Sequence, residues 1–394
     1  MRRSNIQILL LALLASCSFF GEKNKVSDYI ERPDYSLKSV EYVPVLPNVA
    51  SNITPVSLYF GYDELLYAVD SANAILSFDA AGNQLGRFNL PGVSFVIQNR
   101  SLDLYAIGRV DTLINNLNFN LPVIYKISQK KINDDESRGL DLNSAKIIGK
   151  FVYPFCINEA SKLQKKAEVE AVGLHSIGFM DDNSYYVTSK GPIDVGSSYI
   201  TKRNSILKFN HKDEFQGGFS EGDISPFGLT TLVQPPQRAR MEAKRDFIYT
   251  SLTPDLGISV RYIEELIDLE NGNSLVFKPL SQPPVSEANS YFYQTFKFKR
   301  PSSVLYAGTS QKFVFVSDSE KDSVFVFQEN GYEGVTPPPQ YSNRKLINVS
   351  FGGRGTGPTQ FNRPVALAFF NRILYVADAG NRRISRFILT SDYE

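Results

Sequence analysis

Residues 372–387 read RILYVADAGNRRISRF. An apolar run, Ile373–Val376, passes through Ala377 to Asp378. Small and polar residues follow, then a basic pair, then a run that alternates apolar and polar. With a period of two, this is a strand, an Asp-led turn and a second strand. Widened to Phe361–Phe387, the stretch gains Pro364 and an earlier apolar run, which makes one three-stranded unit.

The unit recurs. Pro55 precedes Val56–Phe60, Leu65–Val69, Asp70 and Ala74–Phe78; Pro301 precedes Val304–Tyr306, Phe313–Val316, Asp318 and Ser323–Phe327. The cores VDSANAIL, SDSEKDSVFV and ADAGNRRISRF align without gaps around the Asp. Weaker copies start at Pro91, near Val172 and at Pro226, so six units begin at about 55, 91, 172, 226, 301 and 364. Frequent Phe (28) and Tyr (21) suit half-buried pleated surfaces. One such sheet cannot cover both its faces; six stacked radially can, and an all-β, six-bladed propeller is the predicted fold.

The last unit resembles an NHL repeat. FGGRGTGPTQFNRPVALAFF (351–370) is similar to that family's Gly-rich linker, Phe, Pro and first strand. LYVADAGNRRI is similar to its second strand, Asp, Asn, Arg and Ile. The resemblance is good over 351–387, fair over 301–335 and 53–90, and faint elsewhere. It implies six blades and no single activity, since the family includes binding proteins, scaffolds and some enzymes.

Two structural expectations follow. Asp70, Asp318 and Asp378 each end a strand before a tight loop, where a carboxylate accepts hydrogen bonds from loop N–H groups; a group that recurs blade after blade needs no catalytic explanation. Arg383 is expected to pair with a neighbouring blade. Fourth strands are expected at Gln84–Leu90 and Lys345–Phe351, but the chain ends before the last unit can supply one. Ser39–Leu46, SVEYVPVL, is therefore predicted to close the ring and remove the open edges.

The N-terminus stands apart. MRRSNIQILLLALLASC has a basic start, a short apolar stretch and then small residues, the form of a secretory signal and too short to span a bilayer. Leu14-Ala15-Ser16-Cys17 resembles the lipobox of bacterial lipoproteins. That resemblance implies cleavage before Cys17, acyl chains such as palmitate on it, and a place in the cell envelope. The expected layout is a signal peptide over 1–16, Cys17 and a flexible tether to 37, and the propeller over 38–394. Losing Arg2 and Arg3 takes the 42 basic residues to 40 against 41 acidic, which gives nucleic acid no electrostatic reason to bind. Cys156 is then the one other cysteine and is read as a small buried residue.

No catalytic site emerges. The two histidines, His175 and His211, are isolated, and with Cys156 they give no zinc spacing. His175 reads as a packed residue of a first strand and His211 as a turn residue. Gly352, Gly353, Gly355 and Gly357 lack the Gly-Lys-Ser/Thr and helix of a phosphate loop. NDDES (133–137) and MDDNS (180–184) do not fit a twelve-residue calcium loop, and Asp181-Asp182 reads as a hairpin turn. No metal and no cofactor is assigned. Basic clusters occur at 237–245, at 297–300 and in the last unit. Insertions at 128–170, 190–205, 233–246 and 253–273 should carry specificity; 158–172 has helix-forming composition, and Asn271-Gly272 marks a hairpin within 263–277.

Two readings stand. In the first, a monomeric ring anchored through Cys17 binds a protein or envelope component on one face. In the second, a propeller enzyme or small-molecule or metal binder, lactonase- or lyase-like, has its site at the channel mouth. Converging Asp, Asn and Glu there would favour the second; Ser, Thr and aliphatic residues would favour the first.

Overall fold

Each blade is an antiparallel sheet whose first strand borders a central channel. In the computed structural model, residues 40–130, 140–155, 166–191, 205–219, 225–233, 245–268, 272–278, 280–308, 312–337 and 345–392 are described. The segments expected to be a signal peptide and a tether, with Cys17 and Cys156, lie outside the described residues. The blades all fall within one unit, Glu41–Glu394.

In chain order, two short strands come first, β1 (Tyr42–Pro44) and β2 (Ala50–Ser51). Blade 1 is β3 (Pro55–Phe60), β4 (Leu66–Asp70), β5 (Ala74–Phe78) and β6 (Gln84–Asn89). Blade 2 is β7 (Phe95–Gln98), β8 (Leu104–Ile114), β9 (Leu117–Ser128) and β10 (Lys146–Val152). Blade 3 follows the short helix α1 (Lys166–Glu170): β11 (Gly173–Phe179), β12 (Tyr185–Lys190), β13 (Ser205–Phe209) and β14 (Phe215–Phe219). Blade 4 is β15 (Pro226–Thr231), β16 (Phe247–Ser251), β17 (Val260–Asp268) and β18 (Gly272–Phe277). Blade 5 is β19 (Pro301–Tyr306), β20 (Phe313–Asp318), β21 (Ser323–Gln328) and β22 (Phe351–Gly352). Blade 6 is β23 (Pro364–Phe370), β24 (Ile373–Asp378) and β25 (Arg383–Leu389), completed by β1.

The closing strand is where the unit count put it. β1 pairs antiparallel with β25, Tyr42 opposite Leu389 and Pro44 opposite Phe387. Tyr42 is buried, stacked on Phe351 and edge-on to Phe315 of blade 5. The fourth strand of blade 5 is shorter than expected: Phe351–Gly352 pairs with Val324 and Ser323, while 345–350 contributes a lone bridge, Ile347 to Val335. Hydrogen bonds from the Ser350 hydroxyl to Glu333, and from Val326 N–H to that hydroxyl, hold that approach as a loop.

Hydrophobic packing between blades forms the core. Leu58, Leu66, Leu76 and Phe78 of blade 1 meet Ala366, Tyr375 and Ile384 of blade 6, so the first and last repeats share one apolar cluster. Hydroxyls on the first strands join neighbouring blades. Ser57 accepts from Val96 N–H (3.4 Å), Ser176 accepts from Leu229 N–H (3.2 Å), Thr230 accepts from Tyr306 N–H (3.1 Å), and Ser302 donates to the Pro364 carbonyl (2.8 Å). First strands face the channel with one unpaired edge, and these hydroxyls satisfy backbone N–H and C=O groups there that no fifth strand can reach.

Candidate functional site: a tapering channel with an arginine mouth

First strands all start at one face and end at the other, so one face gathers the entry residues and the second-to-third-strand turns. In blades 1, 3, 4, 5 and 6 a β-bulge interrupts the first strand just after its start. Bulges re-aim side chains. The bulged residues Val56, His175, Phe227, Ser302 and Val365 all line the channel near this face.

The cavity so formed holds about 680 Å³. Val56, Leu58, Ile97, Ile177, Leu229, Val304 and Leu367 share its wall with Ser57, Ser176, Thr230 and Ser302. Those four hydroxyls already bind neighbouring strands, which leaves them little capacity for chemistry. At the far end Tyr59, Phe60, Leu305, Tyr306 and Phe369 close in on about 10 Å³ of free space. The Tyr59 hydroxyl is fixed there by the Gln98 carbonyl. The channel therefore narrows sharply toward that end.

The repeat aspartates position that mouth. Asp318 accepts from Lys299 and Arg300 N–H and from Glu320 and Lys321 N–H, tying the β20–β21 turn to the residues entering β19. Asp378 accepts from Asn362 N–H at 2.8 Å and Asp70 from Thr54 N–H at 3.0 Å. Asp322 accepts from Arg363 N–H at 2.7 Å. Arg300 and Arg363, each just ahead of a first strand, are thereby held at the rim. Both side chains are exposed, and neither has an ion pair or side-chain hydrogen bond among the described residues. Glu320 is the one carboxylate in the lining among the described residues. Arg383, expected to reach a neighbouring blade, instead pairs with Asp378 of its own blade at 2.9 Å and donates to the carbonyls of Thr356, Gly357 and Gln360. It fixes the Gly-rich linker.

His175 lies in a first strand, as expected, but at the mouth. Its ring packs on Phe227 at 4.6 Å between centroids, and its buried Nε2 has no hydrogen-bond partner among the described residues. Burial, aided by the positive charge of Lys190, lowers its pKa from 6.5 to about 4, so the ring is neutral at neutral pH. His211 sits in the Asn210–Glu214 turn, and Asp181 and Asp182 in the β11–β12 turn, as read from sequence. The hairpin over 263–277 is β17–β18, and α1 is the described part of the helix expected near 158–172. Among the described residues, no group of three or more His, Cys, Asp or Glu is placed to hold a metal.

The blades are not equivalent around the mouth. Opposite Pro55, Pro301 and Pro364 stand Asp70, Asp318 and Asp378; the matching positions of blades 3 and 4 are Lys190 and Ser251. Without the Asp clamp the mouth-side connections of these blades are longer. Blade 2 departs furthest. β8 leaves its partner β7 at Ile107 and runs on with β9 to a tip at Asn115-Asn116, both with positive φ (51° and 64°). Phe119 and Leu121 brace this hairpin on Tyr153, Val169 and Val172, while Leu113 and Leu117 at its tip are 70% and 52% exposed. Leu256 and Phe296, on mouth-face loops of blade 4 and the blade 4–5 link, are also exposed (77% and 79%). Both hold left-handed φ values of 54° and 58°, a strained state for bulky side chains and a pointer to function.

A second groove, of about 720 Å³, lies on the opposite face between Tyr262, Lys278, Lys312, Phe313, Glu329 and Leu389. Its charges are engaged within the fold: Lys312 pairs with Glu329 at 3.6 Å, and Lys278 sits over the Tyr262 ring. The channel mouth, with unpaired charge beside a deep pocket, is the better binding geometry.

No protein-family model and no curated protein matches the chain. Solved structures do resemble it. A gluconolactonase from Xanthomonas campestris shares 9% identity over 87% of this chain and 88% of its own, with a TM-score of 0.48. An auxiliary nutrient binding protein from Bacteroides ovatus shares 11% over 89% of this chain and 72% of its own, TM-score 0.48. Regucalcin, a calcium-binding protein from Agrobacterium tumefaciens, shares 8% over 90% and 96%, TM-score 0.47.

Proposed function

We propose that this chain is a lipid-anchored lipoprotein of the bacterial cell envelope, an NHL-like propeller that binds a protein or envelope component on its mouth face. One observation carries the reading. Two exposed guanidinium groups without partners among the described residues, Arg300 and Arg363, stand at the rim of a deep pocket, and exposed Leu113, Leu117, Leu256 and Phe296 share their face. Charge recognises an acidic group on the partner, and the apolar residues supply contact area. The anchor rests on the sequence around Cys17. The rival reading, a channel-mouth enzyme, wants converging acidic and amide side chains, and Glu320 is the one such group among the described residues of the lining.

The test uses full-length protein with a C-terminal tag, recovered from gently solubilised envelopes, against Cys17→Ala. The expected result is an acylated N-terminus and a stoichiometric partner with the wild type, both lost in the variant. Equal fractionation of the two proteins, with nothing recovered by either, contradicts the proposal.

A further inference from the structure

From the channel's shape and chemistry we infer that it takes a small amphiphilic anion, with an apolar body inside and a carboxylate or phosphate at the rim. The inference rests on the reading of the mouth as the binding site and deepens it by naming a ligand class. The rim supplies the anion site: Arg300 and Arg363 precede adjacent first strands, and their backbones are fixed by Asp318 and Asp322. Guanidinium groups suit carboxylate and phosphate oxygens.

Below the rim the wall changes character. Val56, Phe227 and Val365 narrow the entrance, and aliphatic side chains continue to the aromatic floor at Tyr59 and Phe369. The Ser176, Thr230 and Ser302 hydroxyls in the wall are already bonded across blades, so they offer a polar ligand body little. Arg300 and Leu305 are five residues apart along one extended chain, a depth of about 16 Å at ~3.3 Å per residue. A volume of about 680 Å³ is within the range of small-molecule pockets. His175 stays neutral beside the rim, so at neutral pH it adds no charge to the mouth.

The experiment is calorimetric titration of the full chain with three probes at neutral pH: decanoate below its micelle concentration, acetate and decanol. Decanoate joins body and charge, and the others each lack one. Decanoate is expected to bind at least tenfold more tightly than either. In the Arg300→Gln/Arg363→Gln double variant its affinity should fall at least tenfold, with decanol unchanged. Acetate equal to decanoate would overturn the inference because the pocket would be unused; decanol equal to decanoate would overturn it because the arginines would be unused. Binding to phosphatidylglycerol vesicles without binding of monomeric decanoate would overturn it in favour of a membrane-docking face. Should decanoate fail while the wild type still captures its envelope partner, the ligand class is wrong and the binding face stands. Should both fail, the binding face falls as well.

Discussion

A chain that starts at residue 47 should melt far below one that starts at residue 38. Without β1, the β25 edge loses its pairing over Tyr42–Pro44, and the buried Tyr42 ring leaves a gap against Phe315 and Phe351. Truncating one large buried aromatic costs about 3–5 kcal/mol, and the lost strand adds unpaired backbone groups at an exposed edge. The Arg386 guanidinium also donates to the Pro47 carbonyl, a clamp weakened when the chain before it is gone. Tyr42→Ala in the longer chain separates the two parts: it removes the ring and keeps the strand, so its loss should be intermediate. Thermal unfolding followed by circular dichroism checks both. Equal melting of all three proteins would mean that the ring does not depend on its closing strand.

The second large effect is expected at Glu265. Its side chain is fully buried between blades 3 and 4, bonded to Lys208 (2.7 Å), Arg245 (2.9 Å) and the Tyr186 hydroxyl (3.1 Å). Glu265→Ala takes the carboxylate from the partly exposed Lys208 ammonium and leaves Arg245 with Asp182 and Ser184, and losing these charged hydrogen bonds together with the buried side chain should cost about 2–3 kcal/mol. Glu265→Gln keeps the shape and part of the hydrogen bonding, and should cost less. The carboxyl also predicts a pH dependence. Burial alone would push its pKa up, but bonds and charge from Lys208 and Arg245 override that and hold it below the ordinary 4.5. A depressed carboxyl stabilises the fold above its unfolded value and loses that contribution as pH falls through its folded value. Wild type should therefore lose stability below pH 4.5, and Glu265→Gln should lose less over the same range. Denaturant unfolding at a series of pH values reads both effects; equal slopes for the two proteins would contradict the assignment.

These two sites differ in how far the sequence reveals them. The closing strand was legible because blade 6 visibly lacks a fourth strand and 39–46 alternates in the right way. The repeat aspartates were legible because they align without gaps. Glu265 was not: YIEELI shows two adjacent glutamates on opposite faces of a strand, and nothing local says that Lys208 and Arg245 of different blades converge on one of them. The mouth was half legible. Arg300 and Arg363 appear in basic clusters, but only the ring closure shows that they share a rim, and only the bulges bring His175 and Phe227 beside them. The blade 2 hairpin left little signal, since its added residues simply continue the alternation of β8 and β9. The short β22 reflects side-chain bonds at Ser350 that displace a ladder the pattern alone favours.

The central claim is that partners are met at the mouth face. One strand, β20, offers a direct test because its two ends lie on opposite faces: exposed Lys312 just precedes it, and exposed Glu320 just follows it at the rim. A photo-crosslinking amino acid would be placed at each position in turn, in the full-length chain in intact cells. The account predicts a discrete crosslinked product from position 320 and none from position 312. A product from position 312 alone would put the binding face on the other side of the ring and contradict it.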